Sequence, residues 1–337
     1  MKRYLFPENA KFYKANLHCH TTVSDGTLTP QRVKDEYKKR GYSVVAFTDH
    51  EALIDHSDLC DDSFIALNGY ETSIKETQVS THGMLRVHHL NFIKKKPADT
   101  VQFCFYPENF TPGRCREQIP FLKYTGAPCA YEYTPTFFSH IVSEAHKNGC
   151  LVHYNHPVWS LQNAESIAMF DGLDALEIMN TDCRFHGDFD AHTYAELLRK
   201  GKRYAVVAGD DNHNPDGSFS DSFGAFTMIC AEDFTYEGIT SALAKGNTYV
   251  SSGPTIEKMY VEDGQLVVRT SPAARIIMHT EGRTLRCKEG CDGYIDGAAF
   301  SLKEKCLGSF FRVEVIDQNG AHAYTRAYEI KNYLNEL

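Results

Sequence analysis

The sequence has no run of eighteen apolar residues, so nothing in it reads as a membrane-spanning helix. Its first residues, Met1 to Glu8, hold no apolar stretch of the kind that directs export, and a cytoplasmic chain is expected. Positive charge is not in excess: 35 Lys and Arg stand against 44 Asp and Glu, a formal net charge of −9. A general attraction to nucleic-acid phosphates or to an anionic membrane is therefore not expected. A disulfide framework is missing too. The eleven cysteines are odd in number and scattered, and Cys150 and Cys230 fall inside apparent core strands, which fits reduced thiols. Histidine is nearly absent from the last third: fourteen of sixteen precede residue 214, leaving only His279 and His322. Any histidine chemistry belongs to the first two thirds of the chain.

What is present suits a soluble globular protein. With 337 residues, 42% hydrophobic and 23% charged, the chain can bury a large core, in one big domain and a smaller one. The stretch Asn16-Leu17-His18-Cys19-His20, followed by Ser24-Asp25-Gly26, closes an apolar-flanked strand over 13–20. Residues two apart in a strand share a face, so His18 and His20 can converge, the usual start of a divalent-metal site.

The same arrangement recurs along the chain. Thr29 as N-cap, Pro30 at the first helical position and a basic last turn before Gly41 predict a helix over 31–40. The apolar run 43–48 predicts a strand buried on both faces, ending in Asp49-His50. A strand over 64–70 ends in Glu71, and one over 87–93 holds His88 and His89. Residues 95–135, rich in Pro, Gly and aromatics, read as an insertion that is a lid, a binding loop or a local fold. A helix over 137–148 leads to a strand over 150–155 ending in His156-Pro157. A strand over 175–179, a helix over 192–200 and a strand over 204–208 ending in Gly209-Asp210-Asp211-Asn212-His213 follow, then a helix over 236–245. Strands alternating with helices predict parallel βα units, whose active sites form where the C-terminal strand ends meet. The expected fold is α/β, a barrel of about seven βα units over 1–253, with a small antiparallel, sandwich-like β-domain over 254–337. In the latter, strands over 265–269, 274–278 and 310–315 are separated by turns such as Asp263-Gly264 and Asn319-Gly320.

His18, His20, Asp25, His50, Glu71, His89, His156, Asp211 and His213 thus stand at strand ends or just after them. One Asp in a Ser-Asp-Gly turn or one His in an apolar strand has a purely structural explanation. Nine metal-capable groups at corresponding strand ends do not.

The blocks Leu17-His18-Cys19-His20, Phe47-Thr48-Asp49-His50, Gly69-Tyr70-Glu71, His89-Leu90, Asn155-His156-Pro157 and Gly209 to His213 resemble, in order and spacing, the motifs of PHP-domain proteins. That superfamily is named for polymerases and histidinol phosphatase, and the resemblance covers residues 14–253. The exit segment 247–254 also resembles the carbaryl-hydrolase-like branch. The resemblance implies a distorted (β/α)7 barrel holding two or three divalent ions, with zinc, manganese and iron all suited to mixed nitrogen and oxygen donors. It implies a first ion on His18, His20, Glu71 and Asp211, a second on Glu71, His89 and His156, and a third on Asp25, His50 and His213. His88 beside His89, and less so His82, leave the register of that ligand open.

The activity implied is hydrolysis of a small phosphomonoester, such as a nucleotide or sugar phosphate, by water activated between metals. His50, Glu71 and Asp211 then belong to the catalytic centre, and Asp49 orients the neighbouring His50 imidazole. Arg86, Arg184 and Lys75 are candidates to clamp a phosphorylated substrate, with Asn180 and His186 at the pocket rim. The alternatives are ester, amide or carbamate hydrolysis at the same centre, or a metal-loaded protein that only binds. Cys287 and Cys291 with Cys306 lack a fourth ligand for a structural zinc.

Overall fold

A computed structural model describes residues 2–78, 83–290 and 294–334. The first part of the chain holds strands β1 (Arg3–Tyr4), β2 (Lys11–Asn16), β3 (Val44–Phe47), β4 (Ile65–Lys75) and β5 (Val87–Lys94), with helix α1 (Pro30–Lys39) between β2 and β3. The insertion supplies β6 (Val101–Gln102), α2 (Cys115–Gln118) and β7 (Lys123–Tyr124). Then come α3 (Pro135–Lys147), β8 (Cys150–Tyr154), α4 (Ala164–Ile167), β9 (Ala175–Asn180), α5 (His192–Arg199) and β10 (Ala205–Gly209). After β11 (Phe226–Ala231), α6 (Tyr236–Ala244) and β12 (Thr248–Ser251) the chain is all β: β13 (Ile256–Glu262), β14 (Gln265–Ala273), β15 (Arg275–Thr280), β16 (Leu285–Glu289), β17 (Ile295–Ser301), β18 (Phe310–Ile316), β19 (His322–Thr325) and β20 (Tyr328–Glu329). No helix among the described residues is long and apolar enough to cross a membrane.

Local chemistry accounts for the helices that back the sheet. Thr29 Oγ1 accepts the Arg32 amide at 3.3 Å, Pro30 opens α1, and Lys38 and Lys39 complement its C-terminal dipole. Val33 and Tyr37 point inward from α1, and the Tyr37 hydroxyl donates to Asp210 Oδ2 at 2.7 Å beneath the loop that follows β10. Thr134 and Thr235 cap α3 and α6 in the same way.

A 14-stranded mixed sheet runs β10-β9-β8-β5-β4-β3-β2-β11-β12-β19-β18-β15-β16, with β20 on β18. β3 is buried along its whole length, as an apolar run with neighbours on both sides requires. The pairs β2–β3, β3–β4, β8–β9 and β9–β10 are parallel. β5 departs from the expected all-parallel order and runs antiparallel to both β4 and β8. The link from β4 to β5 spans only residues 76–86, and a connection that short returns the chain as a hairpin instead of crossing over. β4 also extends to Lys75, so Glu71 lies within the strand and not at its end.

The segments after β2 and β10, the first and last of seven neighbouring strands, meet. Cys19 bridges Asn212, the Asp211 amide donates to His18 O at 2.9 Å, and the His20 amide donates to Asn212 O at 3.1 Å. The C-terminal region is antiparallel. A second sheet, β1-β13-β14-β17, faces the β19-β18-β15 part of the large sheet over a core including Leu5, Met259, Leu266, Val268, Ile276, Phe311 and Val313. The large sheet continues unbroken into this region through the β12–β19 pair.

The insertion is locally folded, with Phe103, Phe105, Phe110 and Cys115 buried. It also touches the loop that carries Asp25: the Arg114 amide donates to Ser24 O at 2.7 Å. Gly113 is required there, since its φ is +47° and a Cβ would meet Ser24 O at 2.2 Å.

Candidate metal centre

His18 and His20 follow β2, Asp49 and His50 follow β3, Glu71 lies in β4, and His89 lies in β5. Asn155 and His156 follow β8, Asn180 ends β9, and Asp211 and His213 follow β10. Backbone hydrogen bonds stitch these segments together: Glu71 N to Asp49 O at 3.2 Å, and Asn155 N to His89 O at 3.0 Å. Asp211 has φ +55°, a left-handed conformation that Asp tolerates better than most residues, and it turns the carboxylate toward the imidazoles.

The side chains gather into two quartets whose potential ligand atoms each lie within 4.8 Å of one another: His18, Glu71, His156 and Asp211, and beside them His20, Asp25, His50 and His213. In the first, His18 Nε2 is 3.2 Å from Glu71 Oε1 and from Asp211 Oδ1, and His156 Nε2 is 3.3 Å from Glu71 Oε1 and 3.5 Å from Asp211 Oδ2. In the second, Asp25 lies 3.4 Å from His50 Nε2, 3.5 Å from His213 Nε2 and 3.9 Å from His20 Nδ1. The quartets touch, for His20 Nε2 is 3.0 Å from Asp211 Oδ1 and His50 Nδ1 is 3.1 Å from Glu71 Oε2.

These separations suit a cation. Four donors about 2.0–2.1 Å from a tetrahedral ion lie about 3.3 Å from each other. Buried His20 Nδ1 has no hydrogen-bond partner, as expected of a nitrogen whose partner is an ion. The protonation preferences agree. Burial lowers the pKa of His50 and His156, but Glu71 with Asp25 for the first, and Glu71 with Asp211 for the second, push both up to about 9. Burial raises Glu71 and Asp211, yet the surrounding imidazoles hold both well below the usual carboxylate range. The cluster draws in positive charge, which a divalent ion supplies in place of protons. His20 is the exception, taken down to about 4 by burial and by His50 and His213, so it offers a neutral nitrogen.

Neighbouring groups fix which nitrogen each ring presents. His18 Nδ1 is 3.2 Å from Glu177 Oε1, His156 Nδ1 is 3.2 Å from Ser160 Oγ, and His213 Nδ1 is 2.8 Å from Asp211 O. With Nδ1 engaged, Nε2 of all three faces the carboxylates. The amide of Asn155 donates to Glu71 Oε1 at 2.8 Å, and that of Asn180 donates to Asp211 Oδ2 at 3.3 Å. Gly209 gives His18 its room, because a Cβ there would sit 2.4 Å from His18 Cβ and 2.7 Å from Glu177 Oε1.

His20 stands with Asp25, His50 and His213, and His156 stands with His18 and Asp211, yet the expected sets also come together. His20 Nε2 is 3.2 Å from His18 Nε2 and 3.6 Å from Glu71 Oε2, and Glu71 Oε1 is 3.1 Å from His89 Nδ1 and 3.3 Å from His156 Nε2. His89 lies outside both quartets, with Nδ1 3.1 Å from Glu71 Oε1 and Nε2 2.9 Å from Ser73 Oγ. His88 faces the opposite side, 2.6 Å from the Tyr154 hydroxyl and stacked on Tyr133, and His82 lies outside the described residues. A third, looser group of Asp182, Cys183 and Asp211 shares its carboxylate with the first quartet. Cys291 also lies outside the described residues; Cys287 and Cys306 are exposed free thiols.

Asp49 does not orient His50. Its carboxylate accepts the Thr21 and Ser24 amides at 2.7 and 3.1 Å and both hydroxyls at 2.8 and 2.7 Å. Adjacent side chains on extended backbone face opposite ways, so Asp49 builds the loop that presents Asp25 while His50 faces the centre. Arg86 is not a free clamp either, for Nε and Nη2 both donate to Glu76 Oε1 at 2.8 and 2.6 Å. Arg184 is tied to the carbonyls of Thr181 and Ser220 and lies over the Phe185 ring. Lys75 and His186 are exposed, and Asn180 is buried behind Asp211 instead of lining a rim.

Three residues at the centre were not anticipated. Glu177 was readable as a carboxylate inside an otherwise apolar strand, a placement that demands partners. Glu51, with φ +59°, is buried beside His50, accepts from Thr72, Ser73 and Asn109, and is pushed up to about 8 by burial. Trp159, the single tryptophan, packs against the His89 and His156 rings and stays 42% exposed at the mouth. Asp188 holds that segment by accepting the Val158 and Trp159 amides.

No protein-family model and no curated protein matches the chain. Among solved structures, it is similar to a two-domain protein containing a predicted PHP-like metal-dependent phosphoesterase from Bacteroides vulgatus. That match has a TM-score of 0.45 and 15% identity, and covers 97% of this chain and 98% of that one. A protein of Bifidobacterium adolescentis, named for metal-dependent phosphoesterase activity, matches at TM-score 0.38 and 17% identity, over 62% of this chain and 89% of that one. An amidohydrolase from Chromobacterium violaceum, with bound sulfate and no metal, matches at TM-score 0.38 and 15% identity, over 59% and 87%. None of the three is named for carbaryl hydrolysis. At these scores they are neighbours only, and the site stands on its own geometry.

Proposed function

We propose that this chain is a metal-dependent hydrolase, built as a distorted seven-stranded (β/α) barrel with a C-terminal β-domain, that cleaves a small phosphomonoester. The observation that carries the reading is the pair of touching quartets, in which five imidazoles and three carboxylates converge with ion-like spacing. Divalent ions in such a centre supply Lewis acidity and bring the pKa of water to about 7. The chain's own residues do the positioning. Glu177, Ser160 and the Asp211 carbonyl hold three rings with Nε2 forward, and Asn155 and Asn180 hold the two buried carboxylates. Trp159 gives a leaving group a flat wall beside His89 and His156.

A second reading, ester, amide or carbamate hydrolysis at the same centre, is favoured by one observation. Both arginines expected to clamp a phosphate, Arg86 and Arg184, are engaged elsewhere, while Val158, Trp159 and Leu161 are exposed apolar groups. Turnover of a panel of phosphomonoesters, phosphodiesters and carboxyl esters by metal-analysed protein separates the two. Phosphate release that disappears in Glu71→Ala supports the first. Ester-only turnover replaces it with the second, and bound metal with no turnover of any panel member overturns both.

A further inference from the structure

The C-terminal end of α5 and the hairpin between β15 and β16 enclose a cavity of about 130 Å³ with an unusual lining. Arg199, Arg283, Arg312 and His279 all face it, against the single carboxylate of Glu281. None of the three arginines forms an ion pair among the described residues. Glu281 is engaged, accepting the Ser309 amide at 2.7 Å, and His279 is 2.6 Å from Glu314. Arg312 is the decisive group. It is only 7% exposed, and its buried Nη1 has no hydrogen-bond partner. The nearby carboxylate of Glu314 faces Arg312 in charge, but its two oxygens are taken by His279 at 2.6 Å and His322 at 2.8 Å. The donor therefore stays unmatched, which is costly for a buried guanidinium. The helix carbonyl of Leu198, which would repel an anion, is covered by Arg203 Nη1 at 2.9 Å.

We propose that this cavity binds a tetrahedral oxyanion, either inorganic phosphate or the phosphoryl end of a small molecule. Arg312 forms the floor, and the exposed Arg199 and Arg283 close over the anion from the mouth. Planar guanidinium forks match phosphate oxygens, and three of them fit an anion of that charge. The site is separate from the metal centre. Arg199 precedes β10 and Asp211 follows it, so the two lie at opposite ends of a five-residue strand, about 16 Å long. The inference does not depend on the hydrolase reading.

The test is calorimetric titration of the full chain with inorganic phosphate at constant ionic strength, in an Asp211→Asn background that disables the metal centre. Binding should persist there and weaken at least tenfold when Arg199→Gln and Arg283→Gln are added. Both arginines are exposed, so the fold is not at stake, as it would be for Arg312→Met. Lys200→Gln with Lys202→Gln, which removes equal charge from the same helix end outside the cavity, should leave binding unchanged. Glycerol phosphate binding as tightly as phosphate marks an organic phosphoryl ligand, and phosphate alone marks the free anion. Unchanged binding in the arginine variant, equal loss in the lysine variant, or no binding at all in the Asp211→Asn background overturns the proposal.

Discussion

Glu177→Gln changes one atom of a buried carboxylate and should disable the centre without unfolding the protein. Glu177 accepts from three donors: His18 Nδ1 at 3.2 Å, the His156 amide at 3.1 Å and Asn180 Nδ2 at 2.9 Å. A glutamine keeps only one acceptor oxygen. If that oxygen stays on the His156 amide and Asn180, its NH2 faces His18 Nδ1, which must then become an acceptor. The ring proton moves to Nε2, the atom that faces Glu71 and Asp211, and His18 is lost as a ligand. Removing such an orienting group typically costs 10–100-fold in metal affinity, about 1.4–2.8 kcal/mol. The measurement is competition with a chromophoric chelator for zinc or manganese, with circular dichroism to confirm the fold. Affinity equal to wild type in a folded Glu177→Gln protein would refute the role of Glu177 and the tautomer argument built on it.

Asp49→Ala removes the acceptor of four hydrogen bonds in the 21–24 loop. Bonds to a charged group contribute about 1.5–3 kcal/mol each, though not additively. The variant should lose at least about 3 kcal/mol in urea unfolding, and metal analysis should show fewer ions per chain but not none; full stoichiometry argues against the loop's role. Gly209→Ala forces a methyl against His18 and should cost about 1–3 kcal/mol with loss of bound metal, and unchanged metal content would count against the packing argument. Glu314, between His279 and His322, has its pKa held down from 4.5 to about 2; burial opposes this and the two imidazoles outweigh it. A carboxylate with a depressed folded pKa contributes stability present above the unfolded value and lost as pH falls, here between about 4.5 and 2. The difference corresponds to about 3 kcal/mol, so the stability of Glu314→Gln should fall less over that window than wild type, and parallel curves would contradict it.

The ligand candidates were legible because the chemistry concentrates them at strand ends, where alternation and apolar runs locate the strands. Their grouping came only from the family resemblance and not from local pattern. Which imidazole sits with which carboxylate depends on how separate strands stack in space, and neither the β4–β5 hairpin nor the meeting of the segments after β2 and β10 is visible in local pattern. Asp49 and His50 show the limit of adjacency. Two neighbours in one motif do different work because extended backbone points them apart. Arg86 shows the limit of proximity in sequence, since its partner Glu76 comes from across a hairpin turn. Glu177 is the residue that sequence alone could have found, because an apolar buried strand does not carry a lone carboxylate without a reason.

The two quartets are not equivalent, and the difference follows from what holds them. His18, Glu71, His156 and Asp211 are all buried, and protein groups fix both histidines and both carboxylates before any ion arrives. In the second quartet Asp25 and His213 have side chains 28% and 30% exposed, and Asp25 rides on a loop held by Asp49 and the insertion. Fewer protein groups restrain these two partly exposed side chains, so more of their ordering falls to the ion. The inner position should therefore fill first and release last under a chelator. The outer one, with two partly exposed ligands, is then the place where occupancy can vary with metal supply. Asp49 and the insertion thus act on the number of ions held, while Glu177 and Gly209 act on whether the centre exists at all.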